Sequence, residues 1–167
     1  MKKLHVILFV SISILFFSCN KELKNSEAFV GTYLSTATVT GAISITIDGE
    51  TTNIPIYQPL DADTCGIRLG DHDTEIILFG INYGIEGEEL ELKAVVTENA
   101  FVISPTEKII LIKTDEASFP LPAIISGNGA LVENTLTYNL TATGSASIMM
   151  YSATYNTTIV GVAEKTQ

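Results

Sequence analysis

Apolar and polar residues alternate along most of the chain after the first 27 positions. Within residues 42–47, isoleucine occupies every second position, and Asp48-Gly49, a dipeptide favoured in tight hairpins, follows directly. Residues 134–143 alternate in the same way, with Leu136 and Tyr138 on one face and threonine or asparagine on the other. Because successive side chains of a strand point to opposite faces, this pattern predicts β-strands with one buried and one solvated face.

The rest of the chain brings the predicted total to about eight to ten strands. Further strand segments, some of them parts of one strand, are predicted at residues 30–40, 52–57, 65–69, 74–79, 88–96, 100–104, 108–114, 146–151 and 154–163. Turns are predicted at residues 70–73, 98–99 and Gly144, breaks at Pro105 and residues 119–122, and an edge or loop at Pro55 and Pro59. Residues 74–79 are apolar on both faces, which predicts cover on both sides. The predicted fold class is all-β, an antiparallel meander forming a closed or nearly closed barrel, with a β-sandwich as the alternative.

The first 19 residues have the order of a secretory signal. Met1-Lys2-Lys3 precedes an apolar run from Leu4 to Phe17, and Ser18 then precedes Cys19. The run of about 14 residues is shorter than the roughly 20 that a membrane-spanning helix needs. The segment ending at Cys19 resembles the bacterial lipobox, which implies cleavage between Ser18 and Cys19 and lipidation of Cys19. An ordinary signal peptide, or a buried helix, with a chance cysteine is the alternative.

The lipobox resemblance implies three segments in the chain and a location in the cell envelope. It implies a signal peptide at 1–18, a lipidated cysteine with a flexible tether at 19–27, and a single all-β domain at 28–167. The expected location is the outer membrane, anchored through lipid, on its periplasmic or exposed face. The start Cys19-Asn20-Lys21-Glu22 also resembles the surface-export signal of Bacteroidetes lipoproteins, and a solvated charged linker explains it equally well.

Charge and single-residue counts exclude several kinds of function. The chain has 9 basic and 19 acidic residues and a formal net charge of −10, and loss of Lys2 and Lys3 with the signal makes it more acidic. This balance argues against nucleic acid as a partner and against electrostatic binding to anionic lipid. Arg68 is the only arginine, so the sequence offers no arginine cluster for phosphate or carboxylate.

The sequence supports neither an enzyme nor a cofactor. Cys65 is expected to be a small buried residue, and a dyad of Cys65 with His72, the only histidine after the signal, has little support. The cluster Asp61, Asp63 and Asp71-His72-Asp73 reads as solvated turn residues, with calcium binding as the alternative. Residues 86–89 are similarly read as a turn and an outer strand face rather than paired catalytic carboxylates. No catalytic residue, metal site or cofactor is predicted.

Gly31-Thr32-Tyr33 resembles the Gly-x-Trp that opens lipocalins and their calycin relatives, whose aromatic ring plugs the closed end of the barrel. Residues 127–129, 134–138 and 159–162 resemble the end of the same group, and the closest likeness is to small calycin-like lipoproteins of Bacteroidetes. The chain departs from the family in having no tryptophan and no arginine in its final strand to lie across the ring. The resemblance implies that Tyr33 is the plug.

The resemblance also implies a non-enzymatic binding module for a small apolar or envelope-derived ligand. The candidate ligand-binding residues of the barrel interior are Tyr33, Ile45, Leu92, Leu136 and Tyr138. The alternative is a surface interaction or accessory protein, a sandwich or filled barrel without a ligand. Tyr138, Tyr151 and Tyr155 are interpreted as core or rim residues, with a carbohydrate platform as the other possibility. The sequence predicts no oligomeric state.

Overall fold

The computed structural model describes residues 25–81, 91–113, 118–148 and 151–166, and these form a closed antiparallel meander of eight strands. The strands are β1 (Gly31–Ile47), β2 (Glu50–Leu69), β3 (Glu75–Phe79), β4 (Leu92–Thr97), β5 (Ala100–Lys113), β6 (Ser118–Val132), β7 (Thr135–Ile148) and β8 (Tyr151–Lys165). Each strand pairs with its neighbours in sequence, and β8 pairs with β1. The predicted all-β meander and barrel are therefore confirmed.

A short helix, α1 (Asn25–Phe29), precedes the barrel. Ser26 and Phe29 of this helix are buried. The flexible tether predicted to extend to residue 27 is therefore helical from Asn25, because the helix has a face to pack against the barrel. The signal segment and Cys19 lie outside the described residues. Within those residues, no helix combines the length and apolarity needed to cross a membrane.

The strands differ in length, and this gives the barrel two different ends. β3 has 5 residues and β4 has 6, whereas the other strands have 14 to 20. β2 pairs with β3 only from Gly66 to Leu69. The end that carries α1 and the turns before β3, β5 and β7 is called the closed end. The opposite end, where the β1–β2 hairpin turns at Asp48-Gly49, is called the mouth.

Both proline breaks predicted from the sequence lie inside strands. Pro105 falls in β5 at a register shift between Ile103 and Thr106, which marks a bulge. Pro120 and Pro122 belong to β6 and pair with β5. The β6–β7 ladder begins only at Ala123, so one side of the proline segment has no ladder partner among the described residues. Proline is tolerated at such an edge because no backbone donor is required there.

Pro55 and Pro59 lie on an edge, as expected. They pair with Ala42 and Thr38 of β1, and the part of β2 that contains them has no partner on the β3 side within the described residues. β3 itself is buried at Ile76, Ile77 and Leu78, which confirms the predicted cover on both faces.

Gly144 lies within β7 and does not form the predicted turn. A Cβ atom at this position would contact the carbonyl oxygen of Pro122 on the neighbouring strand. The same kind of contact occurs at Gly41 in β1, where φ is +152° and a Cβ would meet the carbonyl oxygen of Asn156. Both glycines therefore permit a close backbone approach inside a continuous strand, and β7 extends to Ile148.

Candidate functional site

The closed end is sealed around Tyr33. Its side chain is 0% exposed, and its hydroxyl donates a hydrogen bond of 2.6 Å to the carbonyl oxygen of Phe29. The Phe29 ring packs edge-on against Phe101, with 5.9 Å between ring centroids. Burial, with a smaller contribution from Cys65, raises the pKa of Tyr33 to about 12. Tyr33 is therefore neutral at ordinary pH and fully packed. It does not line a space that could hold a ligand.

Lys165 of β8 lies over the Tyr33 ring, with Nζ 5.9 Å from the ring centroid. The same Nζ donates a 3.0 Å hydrogen bond to the carbonyl oxygen of Ala28 in α1. A second bond holds the same helix, since Ser26 Oγ donates to the carbonyl oxygen of Asp73 at 2.5 Å. The final strand has no arginine to lie across this ring, and Lys165 occupies that position instead. A lysine can supply the same attraction to an aromatic face.

The interior near the closed end is filled by side chains. Three of the candidate ligand-binding residues, Leu92, Leu136 and Tyr138, are at most 3% exposed. The Tyr138 hydroxyl shares a 2.7 Å hydrogen bond with Ser35, and burial raises the pKa of Tyr138. The Tyr138 ring covers Gly161 on the paired strand, where a Cβ atom would collide with it. These side chains act as core residues.

A cavity of about 10 Å³ lies among the described residues. It is lined by Ser35, Ala37, Leu60, Asp61, Asp63, Gly80 and Tyr138. A space of this size holds about one water molecule. This volume is far below the several hundred cubic ångströms usual for a small-molecule site.

Ile45 lies apart from the other predicted residues, on the inner face near the mouth. It is half-buried, and its neighbours across the sheet are Thr52 and Ala153. Two other inward positions at this level, Ile47 and Ile54, are 43% and 45% exposed. The mouth therefore presents a partly accessible apolar rim. The structure places the five predicted residues in two locations instead of one pocket.

Cys65 and His72 do not form a catalytic pair. Cys65 is 3% exposed on β2, as predicted, whereas His72 is exposed in the turn at the closed end. Burial, with a smaller contribution from the Asp63 carboxylate, raises the pKa of Cys65 from an ordinary value near 9 to about 11. A thiol that stays protonated is a poor nucleophile. Cys65 is therefore interpreted as a structural residue.

The pKa of Cys65 predicts a loss of stability in alkali. The folded state holds the thiol proton more tightly than the unfolded state, so the free energy of unfolding falls as pH rises from about 9 toward 11. The loss attributable to this thiol is about 1 kcal/mol at pH 10. Urea unfolding at neutral pH and near pH 10 measures this loss of stability. The Cys65→Ala variant should lack the part of the loss that comes from the thiol. An equal alkaline loss in wild type and Cys65→Ala would contradict the assignment.

The predicted acidic cluster is divided between two places. Asp61 and Asp63 lie within β2 beside the small cavity, so the turn interpretation is wrong for these two residues. Asp71 lies in the turn before β3, where its Oδ2 accepts a 2.9 Å hydrogen bond from Lys93 Nζ, and this contact lowers the pKa of Asp71. No group of three histidine, cysteine, aspartate or glutamate side chains suited to a metal occurs in the described residues. The predicted turn interpretation of residues 70–73 is confirmed. Residues 86–89 lie outside the described residues.

A second candidate surface lies on the outside of three neighbouring strands and is called the hydroxyl face. It consists of the outward side chains at alternate positions from Thr36 to Thr46 on β1, from Ser152 to Val162 on β8 and from Thr137 to Ser147 on β7. All are serine, threonine or asparagine except Ala42, Val160 and Val162. None is charged. The β1–β8 and β7–β8 ladders that carry this face have no register shift.

Hydrogen bonds between side chains order the margins of the hydroxyl face. Thr46 and Thr51 share a bond of 2.8 Å, and Ser44 donates to Asn53 Oδ1 at 2.5 Å, which extends the face onto β2. On the far side, Thr141 of β7 and Ser126 of β6 share a bond of 3.0 Å. The polar side chains are thus held in position by their neighbours across the sheet.

Tyr57 stands on this surface and is 76% exposed. It lies on β2 directly opposite Thr40, between the outward Pro55 and Pro59. The three tyrosines that the sequence offered as a possible carbohydrate platform do not lie beside Tyr57 on this face. Tyr138 and Tyr155 are buried, and the side chain of Tyr151 lies outside the described part. Tyr57 could have been identified from the sequence by following the outward, polar positions of the alternating strands as well as the inward, apolar ones.

Comparisons with known proteins give little further information. No protein-family model matches the chain, and no curated protein matches it. Among solved structures, it is similar to a Bacteroides fragilis protein provisionally described as an outer membrane protein, with 17% sequence identity and a TM-score of 0.43. The match covers 86% of this chain and 53% of that protein, so this chain spans about half the length of its structural neighbour.

Proposed function

We propose that this chain is a lipid-anchored, non-enzymatic interaction protein of the bacterial cell envelope, which binds its partner on the outer surface of a filled barrel. The observation that carries the proposal is the packed interior. Leu92, Leu136 and Tyr138 are buried in one hydrophobic core near the closed end, and the cavity beside Tyr138 is about 10 Å³. Binding must then use the outside of the barrel or its rim.

The proposed anchor would hold the closed end toward the membrane. Residues 20–24 join Cys19 to α1, and α1 lies at the closed end. Five residues span at most about 17 Å when extended, so the barrel stays close to the lipid surface. The mouth and much of the hydroxyl face are then directed away from the membrane. This support comes from the lipobox resemblance together with the position of the helix.

The calycin resemblance forms part of the same proposal. It is supported by the burial of Tyr33 at the closed end and by Lys165, a cation of the last strand that lies over the Tyr33 ring. The resemblance concerns the architecture of the barrel. A filled barrel retains this architecture without an internal ligand.

A small apolar molecule bound at the mouth is the second candidate. The observation in its favour is the partly accessible rim that includes Ile45 and Ile54. Such a ligand would rest on the rim instead of entering the barrel.

Photochemical crosslinking distinguishes the two candidates. A photoreactive fatty acid is added to the mature chain in lipid nanodiscs, and the modified residues are mapped by mass spectrometry. We expect no saturable labelling of residues 43–47, since the partner is proposed to bind on the outer surface. Labelling of Ile45 or its neighbours that saturates at one probe per chain and is displaced by unlabelled fatty acid would overturn the proposal in favour of the second candidate.

A further inference from the structure

We propose that the hydroxyl face binds a neutral polysaccharide, with Tyr57 stacked against a sugar ring. The inference rests on the proposed function, because it names the class of partner for the outer surface. Its basis is the coincidence of an uncharged array of hydroxyl and amide groups with one exposed aromatic side chain.

The absence of charge on the hydroxyl face is the first argument. The chain has a formal net charge of −10, yet β1 and β7 contain no charged residue, and those of β8 are confined to its end at Glu164 and Lys165. A polyanion such as nucleic acid would find no lysine or arginine there and would be repelled by the rest of the surface. A neutral polymer meets no such repulsion.

The chemistry of the side chains is the second argument. Serine and threonine hydroxyls and asparagine amides both donate and accept hydrogen bonds, as the hydroxyl groups of sugars do. Threonine is stiff at χ1, so little side-chain entropy is lost when a ligand binds. The unbroken ladders place these groups at intervals of about 4.8 Å between strands and about 6.7 Å along a strand. A regular polymer can contact such an array at many points.

Tyr57 supplies the third argument. A large aromatic side chain that is 76% exposed contributes little to the fold, while its ring offers a flat apolar surface beside the Thr40 hydroxyl. A pyranose ring has the matching character, with C–H groups on its face and hydroxyls at its edge. Protein interfaces instead depend on clusters of aromatic, methionine and arginine anchors, and the hydroxyl face has no such cluster.

Binding of the mature chain, purified in detergent, to immobilised dextran, mannan and xylan tests the inference, with polygalacturonate as the charged comparison. We expect binding to at least one neutral polymer. Tyr57→Ala should weaken it about tenfold through loss of the stacked ring, which corresponds to about 1.4 kcal/mol. Asn156→Asp, which places a charge on the face without changing side-chain shape, should also weaken it.

Two control variants make the same kinds of change elsewhere. Val102→Ala truncates an exposed residue on the outside of β5, and Asn99→Asp adds a charge in the turn before that strand. Both should bind like wild type. Three results would each overturn the inference: the chain binds none of the neutral polymers, it binds polygalacturonate equally well, or Tyr57→Ala and Asn156→Asp leave its binding unchanged. A fatty acid crosslinked at the mouth would overturn the proposed function without altering these polysaccharide results.

Discussion

Replacing Tyr33 by alanine is expected to lower the free energy of unfolding by about 3–5 kcal/mol, the usual cost of removing a buried aromatic side chain. The ring is fully buried, its hydroxyl binds the carbonyl oxygen of Phe29, and Lys165 lies over its face. Its loss would open a cavity beneath α1 and leave the Phe29 carbonyl without this donor. Chemical denaturation followed by circular dichroism measures the effect.

Two further variants separate the ring from its hydroxyl and test the specificity of the effect. Tyr33→Phe keeps the ring and removes only the hydrogen bond, so it should cost about 1 kcal/mol. Tyr57→Ala makes the same truncation at a tyrosine that is 76% exposed, and it should change stability by less than about 0.5 kcal/mol. If Tyr33→Ala were no more costly than Tyr57→Ala, the ring would not be the plug of the closed end.

Replacing Cys19 by serine is expected to move nearly all of the protein from the membrane fraction to the soluble fraction. Acyl chains contribute about 0.8 kcal/mol for each buried methylene, and several chains on one cysteine make attachment effectively permanent. Serine at this position cannot carry the thioether-linked lipid. Cell fractionation, with metabolic incorporation of a labelled fatty acid, measures both the location and the modification.

Cys65→Ser is the matched control for the anchor, since Cys65 is the only other cysteine and is buried within the barrel. It should keep the label and remain in the membrane fraction. Retention of Cys19→Ser in the membrane, or a labelled fatty acid found on Cys65, would show that the segment ending at Cys19 is not the anchor.

The strand pattern was predictable because one face of each long strand packs against the interior. Ile43 and Ile45 in β1, and Leu136 and Tyr138 in β7, point inward as their alternation indicates. The proline and glycine signals were less reliable. Pro122 and Gly144 lie in strands because an unpaired edge removes the need for a proline donor, and because close strand contact favours glycine. Local signals cannot show which strand edges are left unpaired.

The candidate site was harder to predict than the fold. Alternation shows that Leu92 and Ile45 point inward, but it does not show how far along the barrel each one lies. Leu92 is in the packed part because β4 is short, and Ile45 is near the mouth because it lies close to the far end of the long β1. The hydroxyl face depends on register between β1, β8 and β7, and this register is a property of the assembled sheet. Whether a threonine on one strand belongs to such a face can be decided only when its neighbours across the sheet are known.

The most direct test of a filled barrel is a native mass spectrum of the mature chain purified from the membranes of its own organism. The packed interior predicts the mass of the lipidated polypeptide alone, unchanged when the protein is denatured. A stoichiometric small molecule that is retained in the native spectrum and lost on denaturation would contradict a binding function confined to the outer surface.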